Sequence, residues 1–214
     1  MPLLDYYSIQ EAESYIGIWE LNEDIDFFKS RLDLFPSELE EISTLKQRKL
    51  LEWYCSRYLL HLMSNRQIRG ACLKDEHGKP FLENSSYFIS MSHSHDRIAV
   101  IASPFKVGID IQFIVPKIER IAPRFISESE MNSIPNTDKI LFYHLYWGAK
   151  ESLFKIYGRK ELDFREHIKI EPISTTTGIV TFGGQVYKND EQIQCTIKGC
   201  IAGDFVWVYA WEKK

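Results

Sequence analysis

The chain has 214 residues, 44% of them apolar, so it can bury a sizeable core and is too hydrophobic to remain disordered. Its 26 basic and 30 acidic residues leave a formal net charge of −4, which excludes a general attraction to nucleic acid or to an anionic membrane; any anion site has to be local. Cys55, Cys72, Cys195 and Cys200 lack the spacing of a structural zinc site, Met1-Pro2-Leu3-Leu4-Asp5 does not read as a signal peptide, and no apolar run is long enough to span a bilayer, so free thiols in a cytoplasmic protein are expected.

In chain order, Leu3 to Tyr7 and Tyr15 to Leu21 read as short strands, with a polar turn after Asn22. Phe35-Pro36-Ser37-Glu38 opens a helical stretch. Lys46 to Met63 follows as a longer amphipathic helix with Leu51, Tyr54, Tyr58 and Leu62 on one side. Asp75 to Pro80 is a polar loop, and Tyr87 to Met91 pairs with Arg97 to Ala102 around a turn containing His93. The second half begins with a strand at Lys106 to Gln112. Ser127 and Glu130 have the spacing of a capping box for a short helix that Pro135 ends. Asp138 to Tyr157 is the main helix, stopped at Gly158. Ile168 to Trp211 reads as antiparallel hairpins punctuated by Gly178, Gly183-Gly184, Asn189-Asp190 and Gly203-Asp204. A boundary near Ser103-Pro104-Phe105 divides residues 1–104 from 105–214. Each half offers strands and one long helix, an α+β fold without a visible sequence repeat.

Three segments carry candidate chemistry. Trp147 to Lys155 packs two lysines and a glutamate into an otherwise apolar helix. Residues three and four apart share a face, so His144, Trp147, Glu151 and Lys155 form a stripe that reads as the wall of a site. Leu141, Leu145, Gly148, Ser152 and Ile156 form a neighbouring stripe that reads as core. Taken alone, Glu151 and Lys155 would be an ordinary surface ion pair worth about 0.3–0.5 kcal/mol. Asp110 changes the balance, because a carboxylate between Ile109 and Ile111 in a strand is costly to bury without a metal or a partner. Ser92-His93-Ser94 supplies hydrogen-bond donors for an anion at a strand end, while His95 reads as a solvated turn residue.

Taken in order, Ser92-His93-Ser94, Gly108-Ile109-Asp110 and Trp147-x-x-Lys150-Glu151-x-x-x-Lys155 resemble the signature motifs of the 4′-phosphopantetheinyl transferases, in their longer form. Gly78-Lys79-Pro80 and Arg124-Phe125-Ile126-Ser127-Glu128-Ser129-Glu130 fit as well, and the likeness runs from about Lys46 to about Gly158. It implies two halves related by a pseudo-twofold axis, each a small mostly antiparallel sheet with a long helix, with the active site in the cleft between them and the chain a monomer. It also implies transfer of the phosphopantetheine arm of coenzyme A to a serine of an apo acyl or peptidyl carrier protein, with release of adenosine 3′,5′-bisphosphate.

By the same resemblance, Asp110 and Glu151 hold Mg²⁺, a hard cation served by oxygen ligands. Glu151 takes the serine proton and Lys155 neutralises phosphate charge. Arg48, Ser92 and His93 grip the 3′-phosphate of coenzyme A, with Lys79 near the nucleotide and Lys150 beside the site. Gln112 stands where the family often has Glu, so it is expected to reach the metal directly or through water. Arg57, nine residues after Arg48 and thus on the opposite helix face, is expected to be structural. The rival readings are a Mg²⁺-dependent nucleotide phosphohydrolase, disfavoured by the lack of a P-loop and of G-x-G-x-x-G, and a non-catalytic module that binds carrier proteins.

Overall fold

The computed structural model describes residues 3–9 and 14–213, which fall into two compact units meeting at Phe105 and Lys106 in the chain. Met1 and Pro2, part of the segment read for a signal peptide, lie outside the described residues.

The first unit runs β1 (Leu3–Ile9), β2 (Ser14–Glu20), α1 (Ile25–Lys29), α2 (Pro36–Ile42), α3 (Gln47–Met63), β3 (Cys72–Lys74), β4 (Pro80–Leu82), β5 (Phe88–Ser94) and β6 (Arg97–Ser103). Its main sheet has the order β1-β2-β6-β5, antiparallel throughout, and β3 and β4 form a separate hairpin. Helix α3 buries Trp53, Tyr54, Cys55, Leu59, Leu60 and Met63 with Trp19, Ile98, Val100 and Ala102 of the sheet. That face is rotated from the one expected: Leu62, placed on the apolar side by its spacing, is 42% exposed. The β5–β6 turn also differs. Ser94 pairs with Arg97, so the turn is His95-Asp96, with His95 left-handed at φ 54°, and His93 stays in the strand opposite Ile98.

The second unit runs β7 (Val107–Phe113), α4 (Ile118–Ile121), α5 (Glu128–Ser133), α6 (Lys139–Tyr157), β8 (Ile168–Ile170), β9 (Ile179–Lys188), β10 (Glu191–Ala202) and β11 (Phe205–Glu212). The sheet order is β7-β11-β10-β9-β8, again antiparallel. Asn189 and Asp190, both at positive φ, make the tight turn between β9 and β10. Gly183-Gly184, expected at a turn, instead lies inside β9, where a side chain on Gly184 would strike Ile197. Helix α6 ends on Gly158 at φ 73°, as its sequence requires.

The two-stripe reading of α6 does not hold, because the helix is buried nearly all round from Phe142 to Leu153. Leu145, Gly148, Ser152 and Ile156 are core, as their stripe suggested, but His144 is buried too. Trp147 packs between Phe125 and Phe164, at ring centroid distances of 4.8 and 5.8 Å. Strand β7 lies directly against this helix: a Cβ built on Gly108 would sit 1.9 Å from the carbonyl oxygen of Ser152. All 4 cysteines are buried free thiols, and burial pushes the Cys195 thiol up to about 12. Among the described residues no helix is long and apolar enough to cross a membrane.

Gly108→Ala should therefore force β7 off α6 and destabilise the fold by about 2–4 kcal/mol, the range for overpacking a core contact that cannot relax into open space. Urea denaturation measures it; a loss below about 1 kcal/mol would mean the strand and helix can part freely.

Candidate functional site

Charged groups converge in the second unit where β7 faces α6. Strand alternation turns Asp110 toward the helix, where it is 7% exposed between fully buried Ile109 and Ile111. One helical turn apart on α6 stand Glu151 and Lys155. The Lys155 ammonium donates to Asp110 Oδ1 at 2.9 Å and to the Ile109 carbonyl at 2.7 Å. The Glu151 carboxyl is raised above the usual carboxylate range, first by burial and then by the negative charge of Asp110, with Lys155 opposing. Two carboxylates thus share one region of low dielectric, with the Lys155 ammonium bonded to one and acting on the other electrostatically.

That donor set fits a hard divalent cation. Both carboxylates are oxygen donors held by different elements, and their mutual repulsion is what such a cation would relieve. Among the described residues no group of three or more His, Cys, Asp and Glu side chains converges; Asp110 and Glu151 would be the two carboxylates of a Mg²⁺ site whose other ligands are water and phosphate oxygens.

Two residues expected here are committed elsewhere. Lys150 is fully buried on the other side of α6 and all three of its donors are used: to Glu130 Oε2 at 2.8 Å, the Phe164 carbonyl at 2.7 Å and the Ile168 carbonyl at 2.9 Å. Burial pulls this ammonium below its usual range and Glu130 pulls it back. It has no donor left for coenzyme A, so the expected contact is corrected to a core ion pair. Glu130 also accepts from the Ser127 amide at 2.8 Å and hydroxyl at 2.9 Å, the capping box read from sequence, and from the Ile170 amide at 2.9 Å. One carboxylate therefore ties α5, α6 and β8 together.

Gln112, expected at the metal, turns its amide oxygen to the Nδ1–H of His144 at 2.8 Å, while its amide nitrogen donates to the His144 carbonyl at 3.2 Å. The Val115 amide donates to His144 Nε2 at 3.0 Å, so the ring is held as the neutral tautomer. Burial lowers its pKa; the Val115 carbonyl, 3.3 Å from Nε2 and able to accept from a protonated ring, opposes this, as does the charge of Asp110.

The first unit gathers the other expected residues. Arg48 Nε pairs with Glu52 Oε1 at 3.1 Å, and its Nη2 donates to the His95 carbonyl. His93 Nε2 lies 3.3 Å from Lys49 Nζ and 3.5 Å from Glu52 Oε2. Ser92 and His93 line a cavity of about 280 Å³ together with Lys49, Glu52, Trp53 and Arg57. Arg57 is 5% exposed and bonded to Glu41 Oε2 at 3.2 Å, the structural role expected of it, although it also walls this cavity. The β3–β4 turn brings Lys74 and Pro80, rather than Lys79, to the wall; the Lys79 amide donates to Asp75 Oδ1 at 2.8 Å. Lys49 and Glu52 were missed in the sequence, where only the i,i+4 spacing of Glu52 from Arg48 and its i,i+3 spacing from Lys49 could have pointed to them.

Residues 106–209, nearly the whole second unit, match the family model of the 4′-phosphopantetheinyl transferase superfamily. Over that unit the chain is similar to the superfamily. It is 30% identical over 119 residues to the 4′-phosphopantetheinyl transferase psf-1 of Bacillus pumilus, covering 53% of this chain and 51% of that protein. A 4′-phosphopantetheinyl transferase of Bacillus subtilis is 34% identical over 89 residues, 39% of each chain. The matched part thus spans about half or less of these relatives' lengths. Within the superfamily match lie Asp110, Glu130, Lys150, Glu151 and Lys155.

Lys150→Met should destabilise the second unit by about 3–5 kcal/mol, because it leaves the Glu130 carboxylate buried and uncompensated. Chemical denaturation reads this directly, and wild-type stability would return Lys150 to the site. His144 gives a pH signature. Its folded pKa lies below the ordinary 6.5, so its contribution to stability is full above 6.5 and lost as pH falls through the lowered value. Urea midpoints at pH 7.5 and 5.5 should therefore differ less for His144→Gln than for wild type; an unchanged difference would mean that folding does not shift the titration of the ring.

Proposed function

We propose that the protein transfers the 4′-phosphopantetheine arm of coenzyme A to a serine of an apo acyl or peptidyl carrier protein and releases adenosine 3′,5′-bisphosphate. The observation that carries this reading is the Asp110, Glu151 and Lys155 cluster between β7 and α6, within the part of the chain that matches the superfamily. Phosphoryl transfer needs little covalent help from the protein; it needs positioning and offset of negative charge.

Each residue has work suited to its place. Asp110 and Glu151 would hold Mg²⁺, which when bound polarises the diphosphate and stabilises the leaving phosphate. Lys155, held by Asp110 and the Ile109 carbonyl, is a fixed positive charge for the phosphate oxygens. Glu151, its carboxyl raised by burial and by Asp110, is closer than an exposed carboxylate to the affinity needed to accept the serine proton. In the first unit Arg48, with Lys49 added by the geometry, supplies positive charge for the 3′-phosphate of coenzyme A, and the His93 imidazole lies beside them. The cavity beside them, with Trp53 and Met91 in its wall, offers apolar surface to the nucleotide.

Incubating the full chain with apo acyl carrier protein, coenzyme A and Mg²⁺ should add the mass of one phosphopantetheine arm to the carrier, read by intact-mass spectrometry. Asp110→Ala and Glu151→Gln should each lower the rate at least about a hundredfold while remaining folded. Coenzyme A consumption without a carrier would instead indicate a hydrolase, and a wild-type rate in either variant would remove that residue from the site.

A further inference from the structure

In the first unit, one carboxylate stands among the cations expected to take a phosphate. Glu52 Oε1 is 3.1 Å from Arg48 Nε, and Glu52 Oε2 is 3.3 Å from Lys49 Nζ and 3.5 Å from His93 Nε2. The glutamate side chain is 13% exposed, whereas those of Arg48, Lys49 and His93 are 52%, 63% and 51% exposed. The guanidinium, the ammonium and the imidazole therefore lie over the carboxylate with their outer sides open to solvent. Helix geometry makes the arrangement permanent, since Arg48, Lys49 and Glu52 occupy adjacent turns of one face of α3, and strand β5 presents His93 to it.

We propose that Glu52 is the resident counter-anion of this site and that it sets which anions the site accepts. Resting on the reading that Arg48, Lys49 and His93 bind the 3′-phosphate of coenzyme A, the proposal concerns what that phosphate must overcome. With Glu52 present, much of the cationic charge is already offset. A small free anion gains little by entering. A phosphomonoester carries no more charge than inorganic phosphate or sulfate, but it gains more because it is delivered by a nucleotide held in the neighbouring cavity. The carboxylate thus keeps the cluster from filling with inorganic phosphate or sulfate, and it lowers the affinity for coenzyme A as a consequence. An alternative role, in which Glu52 merely props the cations in place, makes the opposite forecast, because removing a prop weakens every ligand.

Glu52→Gln separates the two. The amide keeps the side-chain length and can still accept from Arg48, but it carries no charge. Calorimetric titration of the full chain with coenzyme A, 3′-dephospho-coenzyme A and inorganic phosphate should show coenzyme A binding about tenfold tighter to Glu52→Gln than to wild type, the effect left by water-like screening between a carboxylate and a dianion about 6 Å apart. Affinity for 3′-dephospho-coenzyme A should change less than twofold, and inorganic phosphate should compete with coenzyme A more strongly in the variant. Unchanged or weaker coenzyme A binding in Glu52→Gln overturns the proposal. Arg48→Ala is the control for the reading beneath it. If Arg48→Ala weakens coenzyme A but not its dephospho form while Glu52→Gln fails to tighten it, the phosphate site stands and the counter-anion role falls. If Arg48→Ala weakens both ligands equally, the phosphate site is wrong and the proposal falls with it.

Discussion

Because Gly108 has no side chain, β7 can lie with its backbone against the Ser152 carbonyl, and the charged groups of the second unit take their positions from that approach. Two residues along, Asp110 is brought within hydrogen-bond reach of Lys155, and its charge is felt by Glu151. A bulkier residue at 108 would push strand and helix apart until its Cβ cleared the Ser152 carbonyl, and with them the two elements that carry Asp110 and Lys155. Ser152, buried with its hydroxyl on the Val208 carbonyl, completes the seam by fixing α6 to β11 as well. The site is thus a by-product of close packing between a strand and a helix that are each buried on most sides.

The parts legible in the sequence were those in which a residue conflicts with its neighbourhood. An acid between two isoleucines and a glutamate in an apolar helix are anomalies that no packing pattern explains, and Asp110 and Glu151 do come together. Helix ends were legible for a similar reason, since Pro36, the Ser127 and Glu130 pair, and Gly158 each solve a local backbone problem that few other residues solve. Lys150 was not, because an adjacent lysine at 100° around the helix is equally suited to a solvent face or to a buried partner, and its partner lies twenty residues earlier in α5. Gly183-Gly184 misled for the converse reason: glycine marks turns and close contacts alike, and only the packing of Ile197 and Leu153 over the strand tells them apart.

The first unit shows how an ordinary pattern can hide a specific one. Arg48 and Glu52, read alone, are a helix-surface ion pair of a kind found on most proteins. What gives the pair its meaning is His93, brought alongside by a strand register that keeps it out of the turn and opposite Ile98. A turn centred on His93 would have pointed the imidazole to solvent, with no group on α3 within reach. Register is a long-range property of the β5 and β6 pairing, which is why local sequence placed the turn two residues early.

Lys150 and Glu151 are consecutive, yet one reaches into the core and the other toward the charged cluster. Their opposed directions act as a rotational lock on α6. Turning the helix about its axis in either sense would draw the ammonium away from three oxygens that come from separate segments, at 130, 164 and 168. The azimuth at which Glu151 and Lys155 are presented is therefore set from behind, by a lysine buried in the core.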